Sequence, residues 1–384
     1  MRLLTVNAGS SNTKLALFDA GDGAPVRIGK AQAVRDGDRW RLTVDGEAAG
    51  PVAIDGNPQA ALLAGIDTIW PLAGTDAIGH RVVHGGTRFR DPLRMDADAL
   101  AALRALEPLA PLHQPANLAM IEAVAARLPD LPQVASFDTG FHATLPERAW
   151  RFALPHALAD EGVRRYGFHG LSYQSIRDQL RARAPGLARG RVVVAHLGAG
   201  CSACAMRDGV SLDTSMGFSA LDGLPMATRC GALDPGVLLH LLQQRGMTAD
   251  AVHAMLYRDA GLRGMSGLSG DVRDLVASDD PRAAMALEVF AFRTAREIAA
   301  LAVSLGGLDG VVFTAGVGEH QPQIRRMIAD HLGLFGARVD EAANQRGEGH
   351  FDADGSGIQL WMLHTDEEAV IAQGTANALA SRNA

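Results

Sequence analysis

LLTVNAGSSNTKLALF (residues 3–18) and RVVVAHLGAGCSACAMR (residues 191–207) follow one plan. In the first, an apolar run, Leu3 to Asn7, meets a small polar turn, Ala8 to Asn12, and an alternating run, Lys14 to Phe18, then closes with Asp19 to Gly23. In the second, Arg191 to Leu197 meets Gly198 to Cys201, then Ser202 to Met206, and closes with Arg207 to Gly209. Each pattern predicts a β-hairpin. The copies lie about half the chain apart, so they predict two domains of related build on a common cleft rather than a solenoid. A third unit, VVFTAGVG (311–318), again takes a strand into a glycine turn, ahead of a helix-like stretch.

Between these runs lie helical stretches with readable ends. Gln114 to Leu128 carries apolar positions at helical spacing and stops at Pro129, while alanine-rich Arg282 to Leu305 is closed by Gly306 and Gly307. Strands alternating with helices predict an α/β fold. Arg151 to Arg164 has no strong period, so the boundary is expected near it: residues 1–148 form one domain and 149–368 the other. The stretch from Thr365 reads as a capped helix, with Glu368 completing a capping box, and its residues 369–384 complete the first domain.

Composition narrows the function classes. The 384 residues carry 36 basic and 43 acidic side chains, a net charge of −7, which argues against nucleic acid or an anionic membrane as partner. No apolar run reaches the ~18 to 20 residues of a membrane span, and the N-terminus lacks the apolar core of a secretory signal. Three cysteines are too few for a disulfide framework and fit a reducing compartment, so a cytoplasmic protein is expected. Cys201 and Cys204 make a CxxC spacing, read as two small buried turn residues rather than a redox or zinc motif. Lys14 and Lys30 are the only lysines among 36 basic residues, which draws attention to both.

No GxxxxGK[ST] occurs, and no strand runs into GxGxxG. What the chain offers is three glycine-rich turns, each leaving a strand, where backbone N–H groups meet phosphate oxygens with no Cβ in the way. With Asn7 and Lys14 beside the first turn, the set predicts a phosphate site. IGHRVVHGG (78–86) puts Arg81 and Val83 on one strand face, a guanidinium beside a small apolar wall, as a short carboxylate requires. His80 and His84 read as strand histidines, not metal ligands. SFDTGFH (136–142), YGFHGLS (166–172) and residues 212–235 each set charged or imidazole groups among glycines and aromatics, as loops lining a site do.

These segments carry a resemblance. NAGSSNTK from Asn7, GHRVVHGG from Gly79, PLAPLHQP from Pro108, FDTGFH from Phe137, YGFHG from Tyr166, HLGAGCS from His196, ATRCGALDP from Ala227, GLSGDVRDL from Gly267, FTAGVGEH from Phe313 and TDEEAVIA from Thr365 stand in the order found in acetate kinases. The chain therefore resembles that family, of the acetate and sugar kinase, Hsp70 and actin superfamily. The resemblance implies two duplicated ribonuclease H-like (actin-like ATPase) domains flanking a central cleft. It implies Mg2+-dependent, reversible transfer of the ATP γ-phosphoryl group to acetate, giving acetyl phosphate and ADP, with Mn2+ as a substitute metal, in a homodimer. Asn7 and Glu367 match the metal positions, Lys14 a nucleotide-phosphate lysine and Arg81 the substrate-carboxylate arginine. Asp138 matches the essential acidic residue, and His169 and Arg229 match the groups that stabilise the transferring phosphoryl group. His196, Leu197, Gly198, Ala199 and Gly200, with Asp271, Val272 and Arg273 and with Gly316, Val317, Gly318, Glu319 and His320, match the nucleotide-binding segments. Val83, Leu112 and Phe168 match the walls around the acyl methyl group.

The residue types suit that chemistry. Phosphoryl transfer spreads charge over three equatorial oxygens, so positioning and cationic stabilisation do most of the catalysis. A carboxylate acceptor, with a pKa of about 4 to 5, is ionised at neutral pH and needs no general base. Asp138 is therefore expected to order an arginine or a metal-bound water rather than to deprotonate the substrate.

Departures from the family pattern fall mostly in the donor half. Ala199 and His320 stand where Asn is usual, as does Asp366, so pyrophosphate or another donor is an alternative to ATP, and a non-catalytic nucleotide-binding protein a further one. Ala220 replaces a usual Pro on the acyl side, and the lost ring atoms leave room for one more methylene, worth about 1 to 3 kcal/mol of discrimination. Propionate or another short-chain carboxylate is the alternative acceptor. Asn12 replaces a usual Ser in the first loop.

Overall fold

The paired hairpins of the sequence each nucleate a sheet. The structure, a computed structural model, describes residues 1–9, 12–21, 23–347 and 349–381. Ser10 and Ser11 of the first turn, Asp22 of the stretch that closes the first hairpin, and residues 382–384 of the expected terminal helix lie outside the described residues. The chain divides into two compact units, Met1–Ala143 with Asp366–Ala384 and Thr144–Thr365. Those divisions fall a few residues before the boundaries expected at 148/149 and 368/369.

The first unit is built on strands β1 (Arg2–Ala8), β2 (Asn12–Asp19), β3 (Val26–Asp36), β4 (Arg39–Val44), β5 (Glu47–Ala53), β6 (Ala77–Val82), β7 (Leu93–Arg94) and β8 (Gln133–Phe137), in the order β5-β4-β3-β2-β1-β6-β8-β7. β1 runs antiparallel to β2, with Asn7 opposite Lys14, and parallel to β6, which runs parallel to β8. Strand alternation sends Leu4, Val6, Leu15, Leu17, Trp40 and Leu42 to one face, under helices α1 (Pro58–Ile69) and α2 (Gln114–Arg127). Leu3, Ala16, Phe18 and Ala77 go to the other, where Ala369, Ala372, Ala376 and Leu379 of the C-terminal helix (Glu367–Ala380) cover them. Gly79 is required here, since a Cβ on it would strike Thr375 and Ile371 of that helix.

The C-terminal helix begins one residue later than the sequence suggested. Asp366, not Thr365, is its N-cap, accepting from the Ala369 N–H at 3.0 Å, and Arg27 pairs with the same carboxylate. Asp366 thus belongs to the helix start of the first unit. The capping-box reading of Glu368 falls with this shift of register.

The second unit repeats the plan with β9 (Arg191–Leu197), β10 (Cys201–Arg207), β11 (Val210–Thr214), β12 (Gly310–Thr314), β13 (Gly349–His350) and β14 (Gln359–Met362), in the order β11-β10-β9-β12-β14-β13. β9 is antiparallel to β10 and parallel to β12, and β12 is parallel to β14. The directions match β2-β1-β6-β8, so the duplication read from the hairpins extends to the crossover strands. Helix α3 (Gly170–Arg183) follows the YGFH segment, α4 (Pro235–Gln243) follows the ALDP segment, α5 (Pro281–Leu305) is capped by Asp280 and ends at Gly306 in the left-handed region, and α6 (Ala315–His320) leaves β12 directly. No described helix is long and apolar enough to cross a membrane.

Candidate active site

In the first unit the predicted residues meet at the C-terminal ends of β1, β6 and β8. Arg81, near the end of β6, donates from Nε and Nη2 to both carboxylate oxygens of Asp138, which follows β8, at 2.6–3.1 Å. Its Nη1 donates to Asn7 Oδ1 at 3.1 Å. Asn7 in turn donates from Nδ2 to Glu367 at 2.8 Å and to Glu368 at 3.2 Å, so one amide ties the arginine to the first turn of the C-terminal helix. Burial opposes the charge on Arg81, but the carboxylates of Asp138, Glu367 and Glu368 outweigh it and hold the guanidinium protonated. Burial, then the like charge of Glu367, raises Glu368 above the usual carboxylate range, with Lys14 opposing.

Buried amides hold the loops that present this cluster. Asn117 accepts from the Val83 N–H at 3.0 Å and donates to the Ala8 carbonyl at 2.5 Å, while Gln114 pairs with both backbone groups of His84. Val83 is buried and Leu112 half-buried. Lys14 points into a groove of 310 Å3 with Arg27, Lys30 and Glu368 among its walls. Both lysines of the chain therefore line one groove.

In the second unit, the turn between β9 and β10 is the focus. A Cβ on Gly200 would lie 2.5 Å from a terminal guanidinium nitrogen of Arg229 and 3.5 Å from His169 Nε2, so only glycine lets both groups converge there. Arg229 donates from Nη1 to the Ala220 carbonyl at 2.7 Å, and burial lowers its pKa. Among the described residues no carboxylate pairs with it. His169 caps α3 from a left-handed backbone, φ 58°, and its ring stacks on His196 with centroids 4.0 Å apart. Ser202 and Ser172 stand behind the two imidazoles, each with its Oγ 2.8 Å from an Nδ1. Phe168 is buried beside His169.

A cavity of 470 Å3 opens in the same unit. Gly198, Ala199, Asp271, Val272, Arg273, Gly316, Val317 and His320 line it, joined by Ala227, Thr228, Gly270 and Gln321. Asp271 and Arg273 bind each other at its rim, which lowers the aspartate and raises the arginine. Gly200 lies instead at the Arg229–His169 end of the turn. Leu197 is fully buried, and Glu319 faces inward, accepting from the backbone N–H groups of Ala315 and Thr365 and bonding to His364. Arg325, buried, donates to the Gly318 and Glu319 carbonyls and so braces α6 from behind.

Sequence reading missed Glu368, Ser172, Tyr173 and Ser202. A signal for Ser202 was present: a three-residue turn between paired strands puts Ser202 directly across from His196. The three cysteines are free thiols, and burial pushes Cys201 and Cys204 up to about 12, in keeping with inert buried residues, but both lie on strand β10 rather than in the turn the sequence suggested.

Two like sheets, a nucleotide-sized cavity and a half-buried arginine–histidine pair beside a glycine turn are the parts of a phosphotransferase. The sequence model of the acetokinase family matches residues 2–373, and the chain belongs to that family, whose members pass a phosphoryl group to a carboxyl acceptor. An acetate kinase of Rhodopseudomonas palustris is 47% identical, covering 97% of this chain and 96% of its own, and one of Rhizobium meliloti is 45% identical over 100% and 99%. Among solved structures, a propionate kinase from Francisella tularensis superposes with a TM-score of 0.91 at 33% identity, covering 98% of this chain and 99% of its own. The acetate kinase of Porphyromonas gingivalis gives 0.89 at 32%, with the same coverage.

Proposed function

We propose that this chain is an acetate kinase that transfers the γ-phosphoryl group of ATP to acetate and runs in both directions. The observation that carries the reading is the convergence of Arg229 and His169 on Gly200, on the β9–β10 turn whose other residues, Gly198 and Ala199, line the 470 Å3 cavity. A half-buried guanidinium whose protein partner is a carbonyl retains charge to give to an anion, and a phosphoryl group losing its bond to ADP is such an anion.

On this reading the Gly198–Gly200 and Gly316–Gly318 turns offer backbone N–H groups to the nucleotide, with Asp271, Val272 and Arg273 on its sugar and base. Arg229 and the imidazole of His169 meet the equatorial oxygens in flight. Arg81 meets the acetate carboxylate with the part of its fork that Asp138 and Asn7 leave over. Asp138 orients that fork, because acetate is already ionised and needs no base. Val83, Leu112, Phe168 and Ala220 are assigned to the acyl group's surroundings on the family resemblance alone.

The first unit's donors fit a Mg2+ ion. Glu367, Glu368 and the Asn7 carbonyl are hard oxygen ligands, and the Asn7 amide holds both carboxylates close together. Mg2+ takes one or two carboxylates and completes its shell with water and substrate phosphates, which agrees with no cluster of three acidic, histidine or cysteine ligands among the described residues. When bound, the ion would neutralise phosphate charge; Mn2+ would serve likewise. Lys14, beside Glu368, is the phosphate lysine of the same proposal.

A homodimer belongs to the proposal too. Leu233, Val237, Leu239 and Leu242 on and before α4 are 38–54% exposed, an apolar surface that a second copy would cover. A cytoplasmic setting fits the free thiols. Propionate is the second acceptor to test, because position 220 carries alanine.

Hydroxylamine trapping of acyl phosphate is the direct test. Product from acetate, ATP and Mg2+ supports the reading; product only from pyrophosphate replaces the donor, and product only from propionate replaces the acceptor. No product from any pair rejects the kinase.

A further inference from the structure

His169 can present its Nε2 to a phosphoryl oxygen as a donor or as an acceptor, and only the donor is useful. The choice is made at the other nitrogen. Nδ1 faces Ser202 Oγ at 2.8 Å, and Ser202 Oγ is also hydrogen-bonded to the hydroxyl of Tyr173. Ser202 is the second residue of β10 and Tyr173 lies one turn along α3 from His169, both with no exposed surface. No water is needed to explain the chain of contacts, and each hydroxyl has a defined neighbour.

The protons can be counted. A serine hydroxyl carries one proton and two acceptor positions. Burial keeps the Tyr173 phenol protonated far above neutral pH, and a phenol is a better donor than an alkyl hydroxyl, so Tyr173 donates to Ser202. Ser202 is then left with its own proton to direct at Nδ1. An imidazole that accepts at Nδ1 carries its hydrogen on Nε2, the nitrogen that lies 3.5 Å from where a Cβ of Gly200 would stand. The stack on His196 holds the ring plane but is indifferent to which nitrogen is protonated.

We propose that Tyr173 and Ser202 form a one-way hydrogen-bond relay that holds His169 in its Nε2–H tautomer, making both of them positioning residues for phosphoryl transfer. The inference rests on the reading that His169 meets the transferring group. Neither residue is among those that line the 470 Å3 cavity, so removing either hydroxyl should lower kcat while leaving nucleotide binding in place.

The test combines steady-state kinetics with two-bond 1H–15N correlation spectra of histidine-labelled protein, the His169 resonances being assigned by their loss in His169→Ala. Ser202→Ala is expected to lower kcat by about 10- to 100-fold, less than the loss of a whole stabilising donor. KM for acetate and ATP should stay within about threefold. In the spectrum, His169 should move from the Nε2–H pattern toward Nδ1–H. Tyr173→Phe should shift both readouts in the same direction by less, and Ser202→Thr should restore them. If Ser202→Ala does not fold, Tyr173→Phe and Ser202→Thr carry the comparison. An unchanged His169 tautomer in Ser202→Ala and Tyr173→Phe, with His169→Ala inactive, overturns the relay and leaves the role of His169 standing. Retention of kcat by His169→Ala overturns both.

Discussion

The two polar clusters handle a buried arginine in opposite ways. Arg81 in the first unit is matched: Asp138 takes two sides of its fork, Asn7 a third, and two glutamates lie beyond. Arg229 in the second is left with a backbone carbonyl as its partner, and burial lowers its pKa instead of raising it. A matched cation is rigid and serves to orient; an unmatched one holds charge that is released only to a ligand. On the proposed function, the first cluster would position an acceptor that arrives already charged. The second would meet charge that appears only during transfer.

The sharpest way to break this contrast is to remove each arginine. Arg229→Ala should lower kcat by about 10³-fold with little loss of thermal stability, since no ion pair is broken. Arg81→Ala should also lower activity but in addition destabilise the fold by about 3 to 5 kcal/mol, because the buried Asp138 carboxylate loses the guanidinium it is paired with. Equal stability losses, measured by chemical denaturation, would erase the distinction.

A gentler probe acts on the glycine where Arg229 and His169 converge. Gly200→Ala pushes a methyl group into Arg229, so kcat should fall by about 10- to 100-fold while ATP still protects against thermal unfolding. Full activity would mean that Arg229 does not work from this position.

Acid should weaken the first unit. Burial depresses His80 and His84 to about 4, against 6.5 for an unperturbed imidazole. The unfolded chain takes up those protons first, so stability is complete above pH 6.5 and is lost as pH falls toward 4. The loss approaches about 3 kcal/mol for each histidine. Hydrogen exchange in β6 and α2 should accelerate over that range. The smallest effect expected is at Asp366: Asp366→Ala should cost about 1 kcal/mol through the lost cap, and Asp366→Asn less, read as a shift in Tm.

The strands were legible because their signals are local. Each hairpin lies within twenty residues, and α5 carries its own end signals, the capping aspartate and proline at its start and the glycine at its end; the helix begins at Pro281, one residue ahead of the sequence reading. Helix α2 was read to within one residue for the same reason. Side-chain pairing was not legible, because it is decided across distance. Arg81 and Asp138 are 57 residues apart, Asn7 and Glu367 360, and no periodicity in one segment reports on the other. Thr365 and Asp366 offered adjacent caps of similar propensity, and tertiary contact chose between them: Arg27 holds Asp366, while the Thr365 N–H goes to Glu319. Resemblance supplied the membership of the site, but not the hydroxyls behind His169.

The first unit takes its last helix from beyond the second, and this orders events during synthesis. When the ribosome has released Phe137, every strand of the first sheet exists, but Leu3, Phe18 and Ala77 still lack the cover that Ala372 and Leu379 provide. At roughly 5 to 20 residues per second, the second unit occupies the next 10 to 40 s or so, and it is continuous, so it can finish alone. For that interval the nascent chain carries a bare apolar sheet face, the kind of surface that chaperones hold, and the carboxylates of Glu367 and Glu368 arrive only when the cover does.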